Sequence, residues 1–288
     1  MECWGLILFT ELELLLDEDN SLNERQFVAM QIGCELAKQW IGNLVTMEWW
    51  THVWLKEGFG IFAKFFSMEA MGSQGFDIWT NFVTNVVLRA LKVDSLKFTH
   101  PVEMYVFNPA EIEEAFDDVT ARKGAAILRM LNRYLGDKNF HKGLAIYMEK
   151  YQYKNATTED FWKCFEEASS RPVAAMMNCW SRFKGYPAIK IESRQIGKNR
   201  ILKLSQERFV NDPSGKEQRN ALNSPIWVIP LIITTGDNPD GVAYEGLMDS
   251  RTQTIMIPDI SKQQWIKARL KFPKNLHTTL FTTITIAN

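Results

Sequence analysis

From Ser21 to Gly42 the chain reads SLNERQFVAMQIGCELAKQWIG, with apolar Phe27, Met30, Leu36 and Trp40 recurring at three- and four-residue intervals or their sums. That period predicts an amphipathic helix. Ser21 and Glu24, three apart, supply a capping box at its start. The same periodicity predicts helices over 51–71, 75–92, 120–135, 138–151, 158–169 and 172–184. Pro172 suits a first helical turn, and Gly185 with Pro187 suits a stop. Near residue 186 the pattern changes. AIKIES, RILKLSQ, IWVIPLIITT, VAYEGLM, TQTIMIP and TLFTTITI are rich in β-branched residues and alternate, with turn clusters NDPSG and GDNPDG between them. Short strands at such spacing predict a β-sandwich. At the start, CWGLILFTELELLL reads as a strand or hairpin. The expected fold is therefore α+β and multidomain: a mainly α portion over 1–186 and an all-β sandwich over 187–288.

Length agrees with this division, since 288 residues is about two domains at roughly 150 each. A net charge of -1 provides no global field for nucleic acid or an anionic membrane, so neither is an expected partner. The basic run Lys267 to Lys274 reads as a solvated strand edge. Cys3, Cys34, Cys164 and Cys179 show no CxxC pairing and read as reduced thiols, which sets the expected location as cytoplasmic. The apolar WGLILF has no basic region before it and acidic residues soon after, so it is not read as a signal peptide. No stretch approaches the ~20 apolar residues of a membrane span.

On the first helix, Gln31, Cys34, Glu35 and Lys38 share one face, because positions three, four and seven apart are neighbours. They form a polar stripe opposite Phe27, Met30 and Trp40. Taken alone, such a stripe is what a boundary helix turns to solvent. The aromatics of MEWWTHVW and FGIFAKFF read as core, EIEEAFDD as an acidic helix face, and Glu48 with His52 as a helix-surface pair. No phosphate loop and no Ser–His–Asp spacing occurs.

The longer run GCELAKQWIGNLVTMEWWTHVWLKEGF resembles the zinc-binding core of the gluzincin aminopeptidases of family M1, most closely the puromycin-sensitive branch. That core is H-E-x-x-H, then eighteen intervening residues, then the glutamate of N-E-G-F. Glu57 stands at that distance from Lys38, and the string GNLVTMEWW is kept. MECWG is similar to the family's G-A-M-E-N-W-G motif entered partway through. HPVEMYVFNPAEIEEAFDDVTARKGAAILRML is similar to the segment bearing the family's tyrosine, and PVAAMMNCWSRFKGYPAIKIE to the junction with a β-sandwich. The likeness extends over roughly residues 1 to 270. It implies that 1–186 is a thermolysin-like peptidase domain, N-terminally truncated. On that resemblance the family's N-terminal β domain and large C-terminal helical domain are expected to have no counterpart in these residues.

Carried over residue by residue, the resemblance places Cys34, Lys38 and Glu57 at the three metal-ligand positions, with only Glu57 of the family's type. Glu35 retains the general-base position. Ala121 falls where the catalytic tyrosine is expected, and Glu2 at the amine-binding glutamate. Lys56 replaces the usual asparagine. An ammonium has no lone pair for a metal. The lost oxyanion donor at 121 is a deficit of about 2.7–4 kcal/mol in transition-state stabilisation. Lys38 either pairs with Glu35 and Glu57, standing in for the metal, or snorkels to water. The resemblance thus implies an aminopeptidase homologue without hydrolytic activity. It would act as a peptide-binding or interaction protein, its partners peptides or a full-length relative. No cofactor is expected where the family holds one Zn²⁺. The competing expectation is a zinc-dependent aminopeptidase removing N-terminal residues through an altered metal site. A third is a chain with no selected function.

Overall fold

The computed structural model describes residues 2–72, 77–212, 224–239, 241–270 and 283–287, with Glu2 and 269–270 and 283–287 as backbone alone. The protein is a mixture of helices and mostly antiparallel sheets, an α+β fold. It divides into two units: Met1–Ala90 with Pro101–Ala174, and Leu91–His100 with Ala175–Asn288.

The first unit opens on a hairpin, β1 (Glu2–Cys3) and β2 (Leu6–Ile7), paired antiparallel. The helix α1 (Leu22–Lys38) follows its capping box: the Glu24 N–H donates to Ser21 Oγ at 3.3 Å, and the Ser21 N–H to Glu24 Oε2 at 2.7 Å. The apolar period taken alone does not mark its buried face. Phe27, Leu36 and Trp40 are 48%, 52% and 57% exposed, whereas Cys34 is 5% exposed. The polar stripe is turned inward, not to water as the period taken alone implies.

The reason lies in its partner. After β3 (Val45–Met47) comes α2 (Val53–Ala70), which packs against α1. Val53, Trp54, Leu55, Phe62, Phe65 and Met68 are buried along it. Glycines bring the two helices together. A Cβ at Gly33 would lie 2.5 Å from Ser67 Oγ, and one at Gly60 would lie 2.9 Å from Lys38 Cε and 3.0 Å from Cys34 Sγ. The seam therefore admits the polar stripe only because one of the facing positions lacks a side chain.

The helix expected over 75–92 is broken, and residues 75–76 lie outside the described residues. Its remainder is α3 (Ile78–Phe82), a π-helical stretch Val83–Val87, and α4 (Leu88–Asp94). Val83, Val86 and Val87 are all buried in that stretch, and β-branched side chains crowd a helical turn. A second π-helical stretch, Val119–Lys123, leads into α5 (Gly124–Leu135). The α5 helix is buried nearly all round and touches α2, where a Gly58 Cβ would lie 2.9 Å from the Gly124 carbonyl carbon. EIEEAFDD forms no helix face; it winds through two short 3₁₀ turns, Pro109–Glu111 and Glu113–Ala115. Then follow α6 (Asp137–Tyr151), β4 (Lys154–Ala156), α7 (Thr158–Ser169) and α8 (Val173–Arg182). The β3–β4 pair is parallel and too short to show a period in the sequence.

The second unit carries β5 (Pro187–Ile196), β6 (Asn199–Arg208), β7 (Ile229–Thr235), β8 (Tyr244–Met248), β9 (Thr252–Ile257), β10 (Ile266–Leu270) and β11 (Thr283–Ala287). One sheet runs β11-β5-β6-β9 and the other β10-β7-β8. Alternation in the first sheet buries Ile189, Ile191, Leu202, Leu204, Ile255 and Ile257. The central β7 is buried on both faces, as its unbroken apolar run requires. The Gln206 side chain ties β6 to the chain before β7, accepting from the Trp227 N–H and donating to the Trp227 carbonyl, each at 2.9 Å. Lys267 lies in β10; residues 271–274 of the basic run, and 279–282 of the last predicted strand, lie outside the described residues.

Candidate functional site

Of the residues singled out from sequence, Glu35, Lys38 and Glu57 come together across the α1–α2 seam. Lys38 is one turn beyond Cys34 and three residues after Glu35. Its Nζ lies 3.1 Å from Glu35 Oε1 and 3.2 Å from Glu57 Oε2. All three side chains are largely withdrawn from water, at 13%, 12% and 17% exposure for Lys38, Glu35 and Glu57. Lys56 Nζ is 3.7 Å from the other oxygen of Glu57.

The electrostatics follow from burial and pairing. Burial pulls the Lys38 ammonium toward deprotonation, but Glu57, Cys34 and Glu35 outweigh it and hold its pKa above the usual lysine range. Burial pushes Glu35 up, and Lys38 overcomes that, leaving Glu35 below the usual carboxylate range. Burial pushes the Cys34 thiol up, against the pull of Lys64 and Lys38, so the thiol form is favoured.

A fourth group was not singled out from sequence. Lys64 donates to Gln31 Oε1 at 3.0 Å, and burial lowers its pKa. Glu57, Gly60 and Lys64 stand at helical positions three and seven apart, so one face of α2 carries all three. That spacing was the available signal.

Ala121 sits in the π-helical stretch Val119–Lys123, which packs on α2. Next to it, Arg122 Nε bonds Asp118 Oδ1 at 2.5 Å. Glu2 lies in β1, where only the backbone is described. His52 belongs elsewhere: its Nδ1 accepts from the Thr158 N–H at 3.3 Å and lies 2.9 Å from Thr158 Oγ1, with Nε2 4.0 Å from Glu48. A bond accepted at Nδ1 places the proton of the neutral ring on Nε2. His277 lies outside the described residues. Among the described residues no three of His, Cys, Asp and Glu gather as a set able to hold a metal, and no helix is long and apolar enough to cross a membrane.

Comparison with known proteins bears on this arrangement. Residues 1–180 match the peptidase family M1 domain. Over 268 residues the chain is 37% identical to the puromycin-sensitive aminopeptidase of Caenorhabditis elegans, covering 93% of this chain and 28% of that protein. It is 42% identical over 235 residues to probable aminopeptidase 2 of Sulfurisphaera tokodaii, covering 81% of this chain and 28% of the relative. For aminopeptidase M1 of Arabidopsis thaliana the identity is 40% over 237 residues, covering 82% and 26%. The chain spans little more than a quarter of the length of these curated relatives. With the family domain matched along more than half of its residues, the chain belongs to peptidase family M1.

Proposed function

We propose that this chain is a non-hydrolytic M1 homologue in which Lys38 occupies the place of the family's zinc, and that it serves as a peptide-binding or interaction protein. The helical portion, 1–186, is read as the family's thermolysin-like domain, and 187–288 as its β-sandwich. The observation that carries the reading is the Lys38 ammonium held between Glu35 and Glu57 at 3.1 and 3.2 Å.

Zinc chemistry needs lone-pair donors and an open position for water. At the positions that correspond to the ligands, Glu57 is a donor, Cys34 is favoured as the thiol, and Lys38 is a cation with no lone pair. These residues do not fit Zn²⁺, and no catalytic step is routed through it. Glu35, at the general-base position, is paired to Lys38 and lowered, which weakens it as a proton acceptor. Ala121 has no hydroxyl to donate to an oxyanion.

The test is hydrolysis of alanyl and leucyl arylamides by the purified chain, with and without added zinc. Background rates are expected in both. Turnover abolished by a chelator and by Glu35→Gln would establish the altered-site aminopeptidase instead. Binding of the tripeptide amide Ala-Leu-Ala-amide tests the peptide-binding half; its absence leaves interaction with a full-length relative as the role to examine by co-purification.

A further inference from the structure

The helical unit contains a cavity of about 470 Å³, within the size range of small-molecule sites. Three cations line it: Lys64 from α2, Arg122 from the π-helical stretch, and Arg89 from α4. Phe27, Ile61 and Phe65 supply an apolar wall. Cationic and apolar side chains in one lining are the pattern of a site for an amphipathic anion.

The charge count shows what is missing. Among the described residues, the carboxylate in ion-pair contact with these cations is Asp118. It bonds Arg122 Nε at 2.5 Å and lies 3.9 Å from Arg89 Nε. The latter is too long for a hydrogen bond. Lys64 Nζ has the neutral Gln31 amide at 3.0 Å and no carboxylate partner among the described residues. One carboxylate in contact thus serves three cations, and Glu35, which acts on Lys64 at longer range, is already paired to Lys38. Arg122 spends one N–H on Asp118 and has further donors in its fork.

We propose that this pocket binds the carboxylate of a small organic acid or peptide residue. The carboxylate meets Lys64 and Arg122, and the apolar body lies on Phe27, Ile61 and Phe65. A guanidinium and an ammonium converging on one carboxylate form charge-assisted bonds, roughly twice as strong as neutral ones. A bare phosphate would match the charge but leave the apolar wall wet. The inference concerns side chains beside the Lys38 seam and stands whether or not the chain binds peptides.

The experiment is a chemical-shift titration of the full chain with four probes. They are N-acetyl-leucine, carrying an α-carboxylate; N-acetyl-glutamate α-amide, carrying only a side-chain carboxylate; N-acetyl-leucinamide, carrying neither; and inorganic phosphate. At least one acid should saturate, binding about ten-fold or more tighter than the leucinamide. The stronger of the two acids identifies the carboxylate source. Lys64→Gln and Arg122→Gln should each weaken the acid about ten-fold, while Lys64→Arg retains it. Acid and amide binding alike, phosphate binding more tightly than either acid, or no saturation by either acid would overturn the inference, as would unchanged affinity in both Gln variants. The acid–amide contrast uses the unmodified chain, so it stands even if a variant fails to fold. Binding of Ala-Leu-Ala-amide without any acid preference would sink this inference and leave the peptide-binding reading; acid binding without tripeptide binding would do the reverse.

Discussion

Among the cations withdrawn from water in the helical unit, Lys38 and Arg129 are accommodated in opposite ways. Lys38 lies between two carboxylates on the α1–α2 seam. Arg129, in the middle of α5 and 1% exposed, has no carboxylate contact among the described residues. Its guanidinium carbon lies 3.1 Å from the centroid of the Trp79 ring, and Nη1 reaches Asn132 Oδ1 at 3.4 Å. The pKa directions diverge accordingly. Burial and the neighbouring Arg133 lower that of Arg129, whereas Glu57 and Glu35 raise that of Lys38 despite burial. An aromatic face offsets part of a cation's desolvation without creating any dependence on the cation. Two carboxylates in a seam depend on it, because without it they repel each other and remain desolvated. Lys38 is thus a residue that its surroundings require, and Arg129 is one that they tolerate.

The largest effect is expected at Lys38. Lys38→Met removes the cation that bridges Glu35 and Glu57, leaving Lys56 at 3.7 Å on Glu57 alone, and should destabilise the fold by about 3 kcal/mol near neutral pH, the low end for breaking a buried pair because some water reaches the seam and Lys56 remains. Denaturant unfolding measures it. The deficit depends on pH through the lowered Glu35. A carboxylate whose folded pKa lies below its unfolded value contributes stability above the unfolded value, near pH 4.5, and loses it as pH falls through the folded value. The raised Lys38 contributes fully below its ordinary value near 10.5 and loses its share only at higher pH. The gap between wild type and variant should therefore be widest from about pH 5 to 10 and close under acid. A gap independent of pH would mean that packing, not charge, is lost at 38.

A smaller effect is expected at Gly60. Gly60→Ala places a methyl 2.9 Å from Lys38 Cε and 3.0 Å from Cys34 Sγ, which forces the ammonium off its two carboxylates. Overpacking of this kind costs about 1–2 kcal/mol. In the Lys38→Met background the cost should shrink, since no ion pair remains to be displaced; equal costs in both backgrounds would show that Gly60 serves helix approach alone. Least affected is Arg129. In Arg129→Met the loss of the Trp79 contact and the relief of a buried charge oppose each other, so stability should change by less than about 1 kcal/mol. A loss as large as that of Lys38→Met would erase the distinction between the two sites.

Much of this was legible in the sequence. The capping box at Ser21, most of the helices after 120, and the run of strands after 186 follow from local periodicity and turn chemistry. The face of α1 did not. Its apolar residues Phe27, Leu36 and Trp40 mark a conventional amphipathic helix, yet they are exposed and the polar stripe is inside. A hydrophobic pattern identifies the buried face only when burial is driven by apolar area. Here the buried face carries charges that pair across the seam, which the 3.6-residue period does not encode; the likeness to the M1 metal core, not the period, set Glu57 with Lys38. Lys64 was missed for the same reason: its interest depends on Gln31 and Arg122, which reach it from other elements. The breaks at the two π-helical stretches leave no trace in a period of 3.6.

Zinc titration, followed by calorimetry on the wild-type chain and on the Cys34→His, Lys38→His double variant, tests the central claim most directly. If Lys38 fills the place of the metal, the wild type takes up no zinc at micromolar concentrations. The double variant, with two imidazoles one turn apart and Glu57 across the seam, binds about one zinc per chain. One tightly held zinc in the wild type, lost on Cys34→Ala, would contradict the account, and so would a folded double variant that takes up none.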